Sequence, residues 1–126
     1  MKKNPTAMHN PTVINATPHD INIVDEDGKI VMTFPASGVI ARCNANRHTV
    51  GDITFTDKWG LKIPLNEIVF GELEGLPEEK PLTYYIVSAL AGKAGREAGR
   101  KDLLLVDDAV RNEAGQIIGC RALAWP

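Results

Sequence analysis

The stretch that most constrains the fold runs from Thr83 to Ala91, where a β-type segment changes directly into a helical one. Residues 83–87 are rich in aromatic and β-branched side chains, which favour a strand. Ser88 follows, and its hydroxyl suits the N-cap of a helix. The helix should be short because it contains glycines, each of which costs about 1 kcal/mol relative to alanine. The order of strand, cap and helix places two tyrosines, Tyr84 and Tyr85, beside the start of the helix.

Most of the remaining chain alternates short β-type runs with turn residues. The predicted strands are residues 13–15, 20–24, 30–34, 39–43, 53–56, 61–63, 67–73, 102–106, 109–111 and 117–123. Segment 44–48 is polar and is predicted to be a loop. This pattern predicts a single α+β domain over residues 12–126, built mostly of antiparallel β-sheet with one short helix after the Tyr84-Tyr85 strand. Residues 1–11 are predicted to be a flexible tail.

Composition excludes several classes of protein. A chain of 126 residues fits one domain, and its net charge of −2 argues against binding to genomic nucleic acid, which needs a broad basic face. No apolar run reaches the length needed to cross a membrane, and the basic N-terminus lacks the apolar core of a signal peptide. The two cysteines, Cys43 and Cys120, are far apart in sequence and are expected to be reduced. We therefore expect a cytoplasmic protein without a membrane partner.

The residues offer little for catalysis. Ser37 fits a turn and Ser88 fits a helix cap, so neither is placed as a nucleophile. The cysteines occupy apolar strands that raise the pKa of a thiol. The three histidines lie in separate segments without metal-ligand spacing, and no glycine-rich nucleotide motif is present. The sequence therefore predicts a protein that is not an enzyme and uses no metal or cofactor.

A binding site for a phosphate-bearing, ring-containing molecule has better support. Arginines inside predicted strands can donate two hydrogen bonds to phosphate oxygens, and an aromatic ring can stack on a base. A helix N-terminus presents amide donors. The structural alternative is that one tyrosine is core, the other is surface, and the basic run is solvated. Which tyrosine faces a ligand is left open. The candidate ligand-binding residues are Arg42, Tyr84, Tyr85, Ser88 and Arg111, with His19, Arg96 and Arg100 as further candidates.

Five segments, in order, resemble a widespread family of small phage and prophage proteins. These segments are Asn15–His19, Pro35–Arg42, Gly71–Pro77, Tyr85–Leu90 and Val110–Cys120. The set is similar to the phage Thoeris anti-defence sponges of the first-described type. Such sponges bind cyclic ADP-ribose isomers made by bacterial TIR-domain defence proteins and hold them without cleavage. The resemblance implies that this chain acts in the cytoplasm of an infected bacterial host.

The resemblance also implies an assembly and a set of contact residues. It implies a homo-oligomer built from dimers, with pockets at subunit interfaces. In the family, a strand arginine near the C-terminus, an aromatic before the helix and an arginine in the N-terminal half contact the ligand. The matching positions are Arg111, Tyr84 or Tyr85, and Arg42. The family also uses an asparagine on the helix segment, and residues 89–94 contain none. Some relatives bind cyclic oligonucleotides at separate sites, so the resemblance allows a second ligand.

Two other functions are compatible with the residues. One is a phosphodiesterase-like hydrolase that uses His19 or His48 with a nearby acid. The other is a protein-binding inhibitor or a virion component with no small ligand, which would present an exposed apolar patch near Trp59 or Trp125.

Overall fold

The computed structural model describes residues 7–126, which form eight strands and one helix. The elements are β1 Thr12–Asn15, β2 Ile21–Val24, β3 Ile30–Phe34, β4 Arg42–Phe55, β5 Leu61–Glu74, β6 Thr83–Ile86, α1 Ala89–Glu97, β7 Leu103–Arg111 and β8 Ile117–Ala124. The predicted α+β class, with mostly antiparallel strands and one short helix, is confirmed. Of the predicted tail, residues 1–6 lie outside the described part of the chain, and residues 7–11 contain no helix or strand.

One six-stranded sheet forms the body, in the order β1-β6-β7-β8-β2-β3. The pairs β2–β3 and β7–β8 are antiparallel, as the predicted antiparallel sheet requires. The pairs β1–β6, β6–β7 and β2–β8 are parallel, which the sequence did not predict. A parallel pair needs a crossover connection, and α1 provides one between β6 and β7. The helix therefore lies next to the strand that carries the tyrosines.

β4 and β5 form a separate two-stranded sheet, and each strand has 14 residues. We call this hairpin, Arg42–Glu74, the arm. The predicted loop at residues 44–48 is wrong, because these residues lie inside β4. The predicted strand at 39–43 begins only at Arg42, and the predicted strands 61–63 and 67–73 are parts of β5. Nearly all side chains of the arm are exposed. Neither face of β4 is buried in a core, so its inner half needs no alternation of apolar and polar residues. Without that alternation the sequence does not predict a strand there.

β7 is also longer than predicted. The segments 102–106 and 109–111 were predicted as separate strands, but Leu103–Arg111 is one strand paired with β8. The polar pair Asp107-Asp108 indicated a break in the sequence. Asp108 does have φ 53°, in the left-handed region that few residues adopt, yet pairing continues on both sides of it.

The main core lies between the sheet and α1. It consists of Ala16, Ala41, Tyr85, Val87, Ala91 and Leu103. Gly92 and Gly95 on α1 are buried against this layer, and a Cβ at Gly92 would come within 2.6 Å of Leu105 Cδ2. A Cβ at Gly95 would collide with Leu103 Cδ1. These glycines therefore allow the helix to approach β7 closely, a function that helix propensity alone does not reveal. No helix in the described part of the chain is long and apolar enough to span a membrane.

The Asn15 side chain joins β1 to the turn at residues 17–19 and to the end of β3. It is 2% exposed, and its Nδ2 donates to the carbonyl oxygens of His19 at 2.7 Å and Phe34 at 2.9 Å. Its Oδ1 accepts from the Thr17 hydroxyl at 2.7 Å and from the Thr17 amide at 3.0 Å. The Ser37 hydroxyl donates to the Asn15 carbonyl at 2.7 Å. A buried amide needs hydrogen-bond partners, and these contacts provide them. The segments Asn15–His19 and Pro35–Arg42, which carry part of the resemblance, therefore have a structural function here.

The close approach of α1 to β7 can be tested with Gly95→Ala. The added methyl gains about 1 kcal/mol of helix propensity but overpacks a core site, which typically costs about 1–3 kcal/mol. Because Leu103 is 1% exposed and has little room to move, we expect a net loss of about 1–2 kcal/mol. Urea unfolding at fixed protein concentration measures this change. Glu97→Ala, at an exposed position of the same helix, should change stability by less than about 0.5 kcal/mol. A stabilised Gly95→Ala variant would contradict the close packing.

Candidate ligand-binding site

Two aromatic rings meet beside the start of β7. β8 runs antiparallel to β7 and pairs Ala124 with Leu105, so Trp125 returns to the level at which β7 begins. Tyr84 lies on the neighbouring strand β6. The ring centroids of Tyr84 and Trp125 are 5.9 Å apart, with an angle of 60° between the planes. Trp125 is 50% exposed and Tyr84 is half-buried. The pair therefore presents an aromatic surface to solvent, in a tilted geometry typical of stable aromatic contacts.

Basic side chains lie beside the Trp125 ring of this pair. A cleft of about 370 Å³ is lined by Arg96, Arg100, Lys101, Leu103, Trp125 and Pro126. We call it the aromatic–cation cleft. Arg96 comes from the last turn of α1, and its Nη1 donates to the Pro126 carbonyl at 3.0 Å. Lys101 follows in the loop before β7 and is exposed. The cleft therefore combines an apolar ring with two outward-facing cations.

Arg100 is the exception among these cations, because Asp102 neutralises it. Its Nε and Nη2 donate to the two carboxylate oxygens at 2.9 and 2.7 Å, and Asp102 is 4% exposed. The hydrogen bond to Asp102 raises the pKa of Arg100, so the guanidinium stays charged. The guanidinium also lies 5.9 Å from the centre of the Tyr85 ring. Arg100 thus fixes the loop between α1 and β7 and adds little net charge to the cleft.

The structure distinguishes the two tyrosines. Tyr85 is 2% exposed and belongs to the main core, so neither face of its ring is open to a ligand. Tyr84 points away from that core and contacts Trp125. Stacking in this structure is therefore available on Tyr84 and Trp125, whereas Tyr85 belongs to the core on the opposite face of the sheet.

Ser88 is the N-cap of α1, as predicted. Its Oγ accepts a hydrogen bond from the Ala91 amide at 3.2 Å, which satisfies one of the unpaired donors at the helix start. Ser88 is eight residues before Arg96, roughly 12 Å along the helix at 1.5 Å per residue. A phosphate at the helix start would therefore lie at the other end of α1 from the aromatic–cation cleft.

The structure of one copy does not place Arg42, Arg111 or His19 in the cleft. Arg111 ends β7, eight residues beyond Leu103 and roughly 26 Å along the strand, and its Nη1 donates to the Gly115 carbonyl at 2.8 Å. Arg42 lies at the base of the arm and lines a separate cavity of about 460 Å³ beside Gly75. The His19 side chain is exposed in the turn that Asn15 holds.

A further cavity of about 430 Å³ lies between α1 and the base of the arm. Its walls are largely apolar, with Phe70, Leu73 and Leu90 among the lining residues. The charges there are mixed, since Lys93 and Glu97 both contribute. This cavity suits an apolar group better than a phosphate.

The two histidines considered for a hydrolase lie apart in the described part of the chain. Within residues 7–126, no three His, Cys, Asp or Glu side chains are grouped so that they could hold a metal ion. His19 and His48 lie on different elements, one in a turn of the body and one in the arm. Cys120 is fully buried, and burial raises the pKa of its thiol, as the sequence predicted.

Sequence reasoning missed Trp125 as a site residue and considered it only for an exposed apolar patch. The position of Trp125 in the cleft depends on the register of β8 against β7. That register places the end of β8, and therefore Trp125, beside the start of β7. The short connection between the predicted strands 109–111 and 117–123 contained part of this signal, because a short hairpin brings the end of β8 back to the start of β7.

Comparison with protein-family models, with curated proteins and with solved structures found no match for this chain. The resemblance to the anti-defence sponges therefore stays a prediction based on the five sequence segments.

Removal of Arg100 should affect stability through Asp102. In Arg100→Ala a nearly buried carboxylate loses a charge-assisted pair, which should cost about 1.5–3 kcal/mol. Arg100→Lys should lose part of this amount, because an ammonium cannot form the two-pronged contact. Lys101→Ala, the adjacent exposed cation, should change stability by less than about 0.5 kcal/mol. Urea unfolding of the three variants measures these differences, and an equal effect of Arg100→Ala and Lys101→Ala would disprove the assignment.

Proposed function

We propose that this protein binds a cyclic ADP-ribose-derived signal, of the glycocyclic ADP-ribose type, and holds it without cleaving it. A phage would use such a protein in the cytoplasm of its bacterial host to block TIR-dependent Thoeris defence. The observation that carries the proposal is the aromatic–cation cleft, in which Trp125, whose ring contacts Tyr84, lies beside Arg96 and Lys101. The resemblance of five sequence segments to the anti-defence sponges supports the same function.

The chemistry of the cleft fits such a ligand. An adenine ring can stack on the exposed face of Trp125, and base stacking on an aromatic is worth about 1–3 kcal/mol. The two phosphates can approach Arg96 and Lys101, and each charge-assisted hydrogen bond contributes about 1.5–3 kcal/mol. The net charge of −2 is no obstacle, because these cations are local to the cleft.

The side chains that line the cleft also favour holding the ligand intact over cleaving it. None of the described side chains that line the cleft is an imidazole, a thiol or a carboxylate. Asp102, the acid that follows Lys101 in the sequence, accepts hydrogen bonds from both Nε and Nη2 of Arg100. A group that is hydrogen-bonded and paired in this way is poorly placed to act as a general base. Binding by charge and stacking needs none of these groups.

The proposed assembly is a homo-oligomer built from dimers, as the resemblance implies. Within one copy, Arg111 lies far along β7 from Tyr84, and Arg42 lines a different cavity. In a pocket between subunits, Arg42 and Arg111 of one copy would approach the cleft of another. The proposal therefore has two parts, a cleft within each copy and arginines supplied across an interface.

The cleft is tested by calorimetry with glycocyclic ADP-ribose. We expect Trp125→Ala to weaken binding by about 1–3 kcal/mol through lost stacking. We expect Lys101→Ala to weaken it by about 1.5–3 kcal/mol through a lost phosphate contact. Lys29→Ala, in the turn between β2 and β3, is the matched control and should bind like the wild type. After binding, the protein is heated and the ligand is recovered by chromatography.

Recovery of the intact ligand would support a sponge. Recovery of a cleaved product would instead favour the hydrolase alternative. No binding by the wild type, or equal affinities for Trp125→Ala and Lys29→Ala, would refute the assignment of the cleft.

The contribution of Arg111 is a separate prediction. Arg111→Ala should weaken binding by about 1.5–3 kcal/mol without unfolding the protein, because its side chain is exposed and bonded only within its own turn. Calorimetry with the same ligand measures the effect, and circular dichroism checks the fold. An unchanged affinity would remove Arg111 from the site and restrict the proposal to the cleft of a single copy.

A further inference from the structure

The backbone pairing of β7 with β8 ends just before Trp125. Within residues 7–126, the last pair of this ladder is Leu105–Ala124, so the two residues that follow are held by other contacts. The Trp125 indole is 50% exposed and meets the Tyr84 ring in one tilted contact. An exposed side chain with few contacts changes rotamer within nanoseconds. The direction of the indole therefore depends on how the neighbouring residue is held.

That neighbour, Pro126, packs on the helix. A Cβ at Gly92 would lie 3.3 Å from Pro126 Cγ and 3.4 Å from Pro126 Cβ, which is tighter than most real Cβ contacts. Gly92 is buried in α1. The proline ring thus lies against the helix at a residue that has no side chain.

Arg96 holds the same proline through its carbonyl. Arg96 follows Gly92 by four residues, so the two lie on one face of α1. Its Nη1 donates to the Pro126 carbonyl at 3.0 Å. We call the packing of Pro126 on Gly92 and Arg96 the proline contact. Because a proline also restricts the residue before it to extended conformations, the proline contact limits the backbone of Trp125 as well.

Trp125 and Pro126 face opposite sides of the sheet. Tyr85 belongs to the core on the α1 side, and Tyr84, the residue before it in β6, points to the other side. Pro126 packs on α1, whereas Trp125 contacts Tyr84. In an extended backbone, consecutive side chains alternate between the two sides. A proline fixed against α1 therefore directs the Trp125 indole toward Tyr84 and the aromatic–cation cleft.

We propose that Gly92 is a positioning residue for the ligand of this cleft: it leaves room for the proline contact, which sets the direction of the Trp125 indole. Gly92 does not line the cleft. An indole that is already directed for stacking loses less rotamer freedom when a base binds, and this strengthens binding. The effect on affinity rests on the proposed function, whereas the effect on Trp125 is present without a ligand.

A methyl group at Gly92 would meet a second neighbour, Leu105, whose Cδ2 would lie 2.6 Å from the new Cβ. Leu105 packs against the main core, whereas Pro126 lies beyond the last ladder pair. Pro126 therefore has more freedom to move, and Gly92→Ala should displace it. Pro126→Gly separates the two contacts, because it removes the proline ring and leaves Leu105 unchanged.

The direction of the indole is tested by fluorescence of the ligand-free protein. All variants carry Trp59→Phe, so that Trp125, the other of the two tryptophans, is the one that emits. Gly92→Ala and Pro126→Gly should both lower the fluorescence anisotropy of Trp125. Both should also raise its quenching by acrylamide, by up to about twofold for a ring that is now half exposed.

Gly119→Ala is the matched control, because it overpacks the core at a distance from the cleft. A Cβ at Gly119 would lie 2.8 Å from Val24 Cγ1. Gly119 precedes Trp125 by six residues, roughly 20 Å along an extended strand. Its anisotropy and quenching should equal those of the Trp59→Phe parent.

Unchanged fluorescence in Pro126→Gly, or in a Gly92→Ala variant that circular dichroism shows to be folded, would overturn the proposal. The same change in Gly119→Ala would also overturn it. If Gly92→Ala does not fold, Pro126→Gly decides, because it removes the proline contact without changing the helix.

Calorimetry with glycocyclic ADP-ribose measures the effect on binding. The dissociation constant should rise about tenfold in Gly92→Ala and Pro126→Gly, a part of the roughly 5- to 150-fold that base stacking contributes. Gly119→Ala should bind like the parent. If the parent binds and both other variants bind equally well, Gly92 does not position the ligand and the inference is wrong. If the parent does not bind, the proposed function fails, and the fluorescence still decides whether the proline contact directs Trp125.

Discussion

The arrangement of the site depends on the close contact between α1 and β7. The buried glycines, Gly92 and Gly95, let the helix backbone approach the leucines of β7, where a Cβ would not fit. The same contact holds the end of the chain, since Pro126 lies 3.3 Å from the position of a Cβ at Gly92 and its carbonyl accepts from Arg96. The last turn of the helix and the residues after β8 are therefore brought together, and the cleft forms where they meet.

Charge within the cleft is divided between structural and outward-facing groups. Arg100 and Asp102 form a nearly buried pair that neutralises itself and fixes the loop before β7. Arg96 and Lys101 are exposed beside the Trp125 ring. Such a division stabilises the walls of the site while leaving positive charge for an anion. This division is the physical basis of the proposed binding of a phosphate-bearing ring.

Local sequence patterns correctly predicted the elements that turn and capping residues determine. The hairpin formed by the predicted strands 20–24 and 30–34, the Ser88 cap and the short helix all follow from turn and capping residues. The parallel pairing of β1, β6 and β7 could not be predicted, because the choice of a distant partner strand leaves no local pattern. The arm was missed in part because neither face of its inner half is buried. Tyr84 and Tyr85 were equivalent in sequence, and only the packing of α1 shows that Tyr85 is the buried one.

A crystal structure of the protein soaked with glycocyclic ADP-ribose would test the central claim most directly. The account predicts an intact ligand whose base stacks on Trp125 or Tyr84. Its phosphate oxygens should lie about 3 Å from the side-chain nitrogens of Arg96 and Lys101. Density for the ligand away from the Tyr84–Trp125 pair, or for an opened ligand, would contradict capture by charge and stacking.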